Sequence, residues 1–209
     1  TGTITSSIEA SGDGRLALKI ELPLGQPDDI RFAGEYTLSD AQLRIAGVPA
    51  LAKVNGTLSF SERDVRARDV AAEILGGPAK LTFAGAEGQT RVTGAGTVGL
   101  AALRREYGNA FLDRVSGRID WSINVNVLAP GTLGWVFEST MKGAAVDLPP
   151  PLGKSAGDEM PLRIEGSDEA SPAGTDLIIA SYGRVAQFVA HRKQYGANAV
   201  NDHALLSLG

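Results

Sequence analysis

Apolar residues recur at every second position along most of this chain, and few folds accept that pattern. Successive side chains of a strand point to opposite faces, so a period of two builds sheets with one buried face. Leu16, Leu18, Ile20 and Leu22 alternate in this way, as do Ile30, Phe32, Tyr36 and Leu38 around Gly34. The pattern returns at Val54, Leu58 and Phe60, at Leu81 and Phe83, at Ile119, Trp121, Ile123, Val125 and Val127, and at Leu133, Trp135 and Phe137. Each run reads as about five to nine residues. Pro27-Asp28-Asp29, Asn55-Gly56 and Gly76-Gly77-Pro78 punctuate the runs and read as turns. Strands following one another with few helices between them predict an antiparallel meander.

One stretch departs from period two. From about 99 to 114, Leu100, Leu103, Tyr107 and Phe111 fall three and four apart, with Arg104, Arg105, Glu106, Asn109 and Asp113 on the other side. That spacing predicts one amphipathic helix, weakened by about 1 kcal/mol at Gly108 relative to Ala and dependent on packing against the sheet. Leu148-Pro149-Pro150-Pro151-Leu152 cannot donate ladder hydrogen bonds through its prolines and reads as an extended edge or connecting segment. Further strands are expected at 161–165, 176–182, 184–191 and 204–208, with a tight turn at Tyr182-Gly183-Arg184 and a looser one from Gln194 to Asn201. The resulting fold class is mainly β.

Charge and composition remove several functions. Among 209 residues, 20 Lys and Arg are outnumbered by 24 Asp and Glu and interleaved with them, as in Arg63-Asp64-Val65-Arg66. That arrangement argues against nucleic acid as a partner, because phosphate binding needs clustered cations. With no cysteine, disulfides, Cys-zinc sites and Cys nucleophiles are excluded, while cytosol and periplasm stay equally open. The longest apolar stretches, such as Leu177-Ile178-Ile179-Ala180, fall far short of the ~18 residues of a membrane-spanning helix, so a soluble piece is expected. A start at Thr1 without Met or signal sequence is read as an excised part of something longer.

Gly94-Ala95-Gly96-Thr97-Val98-Gly99 fits the G-x-G-x-x-G of a dinucleotide turn, with Asp120 near the place of a ribose-binding acid. Its context argues against a nucleotide-binding oxidoreductase: the preceding Gln89-Thr90-Arg91-Val92-Thr93 is polar and alternating, where a central parallel strand is continuously apolar. Glycines in a twisted strand and its exit turn explain the motif more simply, and no cofactor is assigned. His191 and His203 read as exposed strand-end residues rather than a metal pair. Asp28/Asp29 and Asp158/Glu159 read as solvated loop acids, and no catalytic residue is assigned. Trp121 and Trp135, with Phe137, fit either a closed core pair or an uncovered apolar face that forms a groove.

Several pieces taken together resemble the YhdP/AsmA-like family of bacteria. In order they are Lys53-Val54-Asn55-Gly56-Thr57-Leu58-Ser59-Phe60 with Val65 and the Leu75-Gly76-Gly77-Pro78 turn, the Gly94/Gly96 strand with its helix, and Val115-Ser116-Gly117 leading to Trp121. Leu148-Pro149-Pro150-Pro151-Leu152 with Lys154, Gly157 and Pro161-Leu162 completes the set. These pieces cover about residues 35–165, and 166–209 supply additional strands. The resemblance implies a curled antiparallel sheet, taco-like or half-barrel, whose concave apolar face carries phospholipid between inner and outer membranes. It implies no enzyme, in keeping with the reading above that assigns no cofactor and no metal. It further implies a single periplasmic segment, 1–209, of a longer protein anchored in the inner membrane, touching membranes only through that parent. The implied partners are phospholipid acyl chains and the neighbouring segments of the parent. The residues expected to line the apolar side are Leu58, Phe60, Leu81, Phe83, Trp121, Ile123, Trp135 and Phe137. The competing expectation is a structural or capping segment that covers its apolar face and holds no lipid.

Overall fold

The structure is a computed structural model that describes residues 8–21, 31–45, 48–62, 64–86, 89–128, 132–168, 175–195 and 198–209. The Pro27-Asp28-Asp29 turn, with its acid pair, and the ends of the first two alternating runs lie outside the described residues. The chain divides into two compact units, Thr1–Gly94 and Ala95–Gly209.

In the first unit five strands follow one another in sequence order: β1 (Ile8–Glu21), β2 (Arg31–Ile45), β3 (Leu51–Ser61), β4 (Asp64–Ile74) and β5 (Gly77–Ala86). Each pairs antiparallel with the next. The strands are 10–15 residues long, longer than the sequence runs predict. Bulges account for the difference. Register shifts fall between Ser11 and Asp13, Leu38 and Ala41, Ala52 and Asn55, and Ala67 and Val70. At these points Gly12, Asp40, Lys53 and Asp69 take positive φ. A bulge adds one residue and so swaps the faces of everything beyond it. In β2 the apolar positions pass from Tyr36 and Leu38 to Ala41 and Leu43. In β4 they pass from Val65 and Ala67 to Val70, Ala72 and Ile74. A run that changes parity looks finished in the sequence when the strand continues.

Asn55-Gly56 is therefore not a turn but part of a bulge inside β3. Asn55 accepts from the Asp40 N–H at 3.0 Å and donates to the Lys53 carbonyl at 2.8 Å, supplying partners where the ladder is broken. Both residues favour turns and bulges for the same reason, tolerance of irregular backbone. The bulges line up across the strands, bend each of them and curl the sheet. Small and branched residues fill the bend: Ala41, Leu51, Val54, Ala67, Val70, Ala72 and Leu81 form one buried cluster. The expected turn at Gly76 is present, with Leu75 and Gly76 both at positive φ, the backbone of a tight two-residue hairpin.

β6 (Gln89–Gly99) spans the boundary between the two units, and β7 (Val115–Leu128) belongs to the second. The second unit continues as β7, β8 (Thr132–Ser139), β10 (Leu162–Asp168), β11 (Thr175–Tyr182), β12 (Ala186–Tyr195) and β13 (Asn198–Leu208). The short β9 (Ala144–Val146) pairs with the start of β7. The described strands pair antiparallel, and neither unit closes into a barrel. A parallel dinucleotide fold is thereby overturned, and Gly94–Gly99 is the end of an antiparallel strand.

The helix, α1, is shorter than its periodicity predicts, Leu100–Tyr107, with a single 3₁₀ turn at Leu112–Arg114. Gly108 takes the left-handed conformation and its N–H bonds the Arg104 carbonyl, ending the helix one turn before Phe111. The C-terminal hairpin also departs from expectation. Instead of a loose turn over Gln194 to Asn201, β12 and β13 stay paired as far as Tyr195 and Asn198. The tight turn expected at Tyr182 to Arg184 is present, with Gly183 at φ +54.

Candidate functional site

Residues directly opposite in an antiparallel pair share a face, so the registers trace rows of side chains across each unit. In the first unit one row runs Leu16, Tyr36, Leu58, Ala67, Phe83 and the next runs Leu18, Gly34, Phe60, Val65, Gly85. Ile20 and Phe32 extend the same face. The opposite face carries Arg15, Thr37 and Thr57, then Glu35, Ser59 and Arg66. There the Thr37 and Thr57 hydroxyls meet at 3.3 Å and Arg66 pairs with Asp64 at 3.0 Å. One face is apolar over five strands and the other is polar.

This apolar face is open to solvent at its β1 side. Leu16, Leu18 and Ile20 are 51–56% exposed, where a face folded against a second layer would bury them. Phe32 and Tyr36 are exposed beside them on β2, and Val65 is exposed farther across, on β4. Across the sheet the exposure falls, and Leu58, Phe60 and Phe83 are half-buried while Leu81 belongs to the buried cluster.

In the second unit the row Ile123, Phe137, Ile164, Ala180, Phe188, Leu206 crosses six strands, beside Val125, Trp135, Gly166, Ile178, Ala190, Ala204. The opposite face begins polar, with Arg163 between Glu138 at 2.5 Å and Glu165 at 3.0 Å, and both acids, Glu138 first, raise the arginine's pKa. From β11 onward strict alternation fails. Leu177, Ile178, Ile179 and Ala180 are consecutive, and Leu205 and Leu206, on opposite faces of β13, are both exposed.

The N-terminal end of β7 is covered. α1 packs on β7, and the segment 140–161 folds back so that β9 pairs Val146 with Val115 and Ala144 with Gly117. Val115, Ile119, Trp121, Met141, Ala144 and Val146 are buried there. Gly117 and Gly143 permit the close approach: Gly117 has φ +104, and a methyl group on it would collide with the Gly143 carbonyl. The proline segment is not extended. The N–H groups of Leu152 and Gly153 both turn back to the Pro149 carbonyl, and Val146 bridges Lys154. Lys154 Nζ donates to the carbonyls of Met141 and Ser155, each at 2.9 Å, and to that of Ala144. Partial burial lowers its pKa. Two of the pieces on which the family resemblance rests, Val115-Ser116-Gly117 and the proline segment with Lys154, thus meet in one brace.

Of the eight residues expected on the apolar side, Leu58 and Phe83 lie in one row, Phe60 in the next, and Ile123 and Phe137 are directly paired. Trp121 and Trp135 share the face but are not partners: Trp121 stacks on Phe137, centroids 6.4 Å apart, and Trp135 pairs with Val125. Leu81 and Trp121 are buried, whereas Ile123, Trp135 and Phe137 are half-buried. Not included among the eight are the most exposed apolar residues of the face, Leu16, Leu18 and Ile20. Their alternation is the signal for them, and they lie on β1, at the end of the strand order. Register places His191 opposite His203, and among the described residues no group of three or more His, Cys, Asp or Glu is placed to hold a metal.

An uncovered apolar sheet face marks a surface that meets another apolar surface, whether protein, membrane or ligand. A family model described as YhdP protein matches residues 1–205, beyond the 35–165 covered by the motifs. The chain belongs to the YhdP family, and this membership points to a lipid-transport-related role. No curated protein and no solved structure matches it. No helix among the described residues is long and apolar enough to cross a membrane.

Proposed function

We infer that the chain is a non-enzymatic segment of a periplasmic phospholipid-transport scaffold, with acyl chains lying against the apolar rows and headgroups in water. Its parent would be anchored in the inner membrane and would deliver phospholipid toward the outer one. The observation that carries this reading is the uncovered row of Leu16, Leu18 and Ile20 continuing into Tyr36, Leu58 and Phe60. Each methylene removed from water gains about 0.8 kcal/mol, so an acyl chain is held by many equivalent contacts and can shift along them without breaking a specific one. Family membership supports lipid as the occupant.

The test is native mass spectrometry of the chain purified from bacterial membranes in mild detergent. Retained phospholipid that is lost in Leu18→Glu and Phe60→Glu, with circular dichroism unchanged, is the expected result. A reproducibly lipid-free wild type would favour a structural or capping segment instead. The observation favouring that second reading is local: the brace and α1 already cover the Val115–Trp121 end.

A further inference from the structure

Three glycines on the apolar face lie beneath aromatic rings. A methyl group built on Gly34 would sit 2.5 Å from Phe60 Cζ and 2.9 Å from its Cε2, with the Ala17 carbonyl oxygen also at 2.9 Å. One on Gly166 would sit 2.5 Å from both Cε2 and Nε1 of Trp135. One on Gly14 would sit 2.5 Å from Tyr36 Cζ. Gly34 is directly opposite Phe60, and Gly166 directly opposite Trp135. In each case the ring leans over the neighbouring strand and occupies the space a side chain would need.

This arrangement costs β-propensity at each glycine, since glycine weakens a strand and packs nothing of its own. Rings covering glycines recover part of that loss. The geometric consequence is that a large side chain, which ordinarily stands roughly perpendicular to the sheet, is laid down along it. A reclining ring raises the floor by about one van der Waals layer, ~3.5–4 Å, where an upright one would project into the path.

We propose that Gly34 and Gly14 on the first unit, and Gly166 on the second, each set the depth available to lipid on the apolar face of their own unit by letting Phe60, Tyr36 and Trp135 lie flat on the sheet. The occupant is a phospholipid acyl chain, and the inference rests on the lipid-transport reading above. The glycines are positioning residues that act through the rings. Adding a Cβ lifts the ring, narrows the path and leaves the apolar composition of the face unchanged.

The experiment photolabels the full chain with a phospholipid carrying a diazirine in its acyl chain, presented in mixed micelles. Wild type should label on peptides containing Phe60 or Trp135. Gly34→Ala and Gly166→Ala should each lower labelling at their own ring about fivefold, as expected for overpacking. Gly166→Ala combined with Trp135→Leu should restore it, because the three atoms nearest a methyl group there all belong to the Trp135 ring and leucine has no ring to lift. Gly134→Ala is the control, since nothing lies within 4 Å of a methyl group there, and should label as wild type. If wild type labels and the two single variants label equally well, the depth assignment is overturned while lipid binding stands. If wild type does not label, both fall. Should the single variants lose their circular dichroism, the double variant decides: labelling that stays low when the fold is restored overturns the proposal.

Discussion

At the scale of single residues, exposure separates apolar side chains that hold the fold from those available to a ligand. Leu81, 7% exposed in the buried cluster, and Leu18, 51% exposed in the same row as Phe60, are the same residue type in equally alternating runs. Leu81→Ala should cost about 2–5 kcal/mol through the lost contacts and the cavity left behind. Leu18→Glu should change stability by no more than about 0.5 kcal/mol, as exposed substitutions do. Urea unfolding of both variants checks the contrast. Equal losses would place Leu18 in a closed core. Gly117→Ala should also destabilise, by about 1–3 kcal/mol, because alanine resists φ +104 and its methyl meets the Gly143 carbonyl. Thermal unfolding reads that loss.

At the scale of elements, the brace at 140–161 depends on one cation. Lys154 donates to the carbonyls of three residues, Met141, Ala144 and Ser155, and so ties them together; Met141 and Ser155 also accept from the N–H groups of Ala144 and Asp158. Lys154→Met should cost about 1.5–3 kcal/mol, the range for hydrogen bonds to a charged group. Amide exchange should speed up first at Gly143 and Val146, whose N–H groups bond Ala156 and Lys154. The brace also has an acid limit. Asp158 accepts from the Ser155 hydroxyl at 2.8 Å and the Ser155 N–H at 3.1 Å, and these bonds lower its pKa. A carboxyl whose folded pKa lies below the unfolded one, about 3.9, stabilises the fold above that value. The contribution is lost as pH falls through the folded pKa. Exchange at Ser155 should therefore accelerate below about pH 4 in wild type and show no such step in Asp158→Asn.

At the scale of the molecule, each unit carries apolar rows that a second layer would ordinarily bury. In the first unit the polar opposite face, with Arg15, Glu35 and Arg66, fixes which side is available. A ligand that binds only the folded state stabilises it by mass action. Phospholipid in mixed micelles should therefore raise the wild-type melting temperature and leave that of the Leu18→Glu/Phe60→Glu double variant unmoved. A shift of equal size in both would place the lipid elsewhere on the chain.

The alternation, the turn residues and the absence of cysteine were enough to determine an antiparallel β chain with one helix and to bring Phe60, Phe83, Ile123, Trp135 and Phe137 to apolar faces. These are local properties, since period two follows from backbone geometry at each residue. The bulges at Asp40, Lys53 and Asp69 were not legible, because a parity change reads as the end of a strand. Nor was the difference between Leu81 and Leu18, or between Trp121 and Trp135. Alternation says that a side chain faces the apolar side. Whether water reaches it depends on what the bends, the brace and the edge positions put over it, and those contacts join residues far apart in the chain.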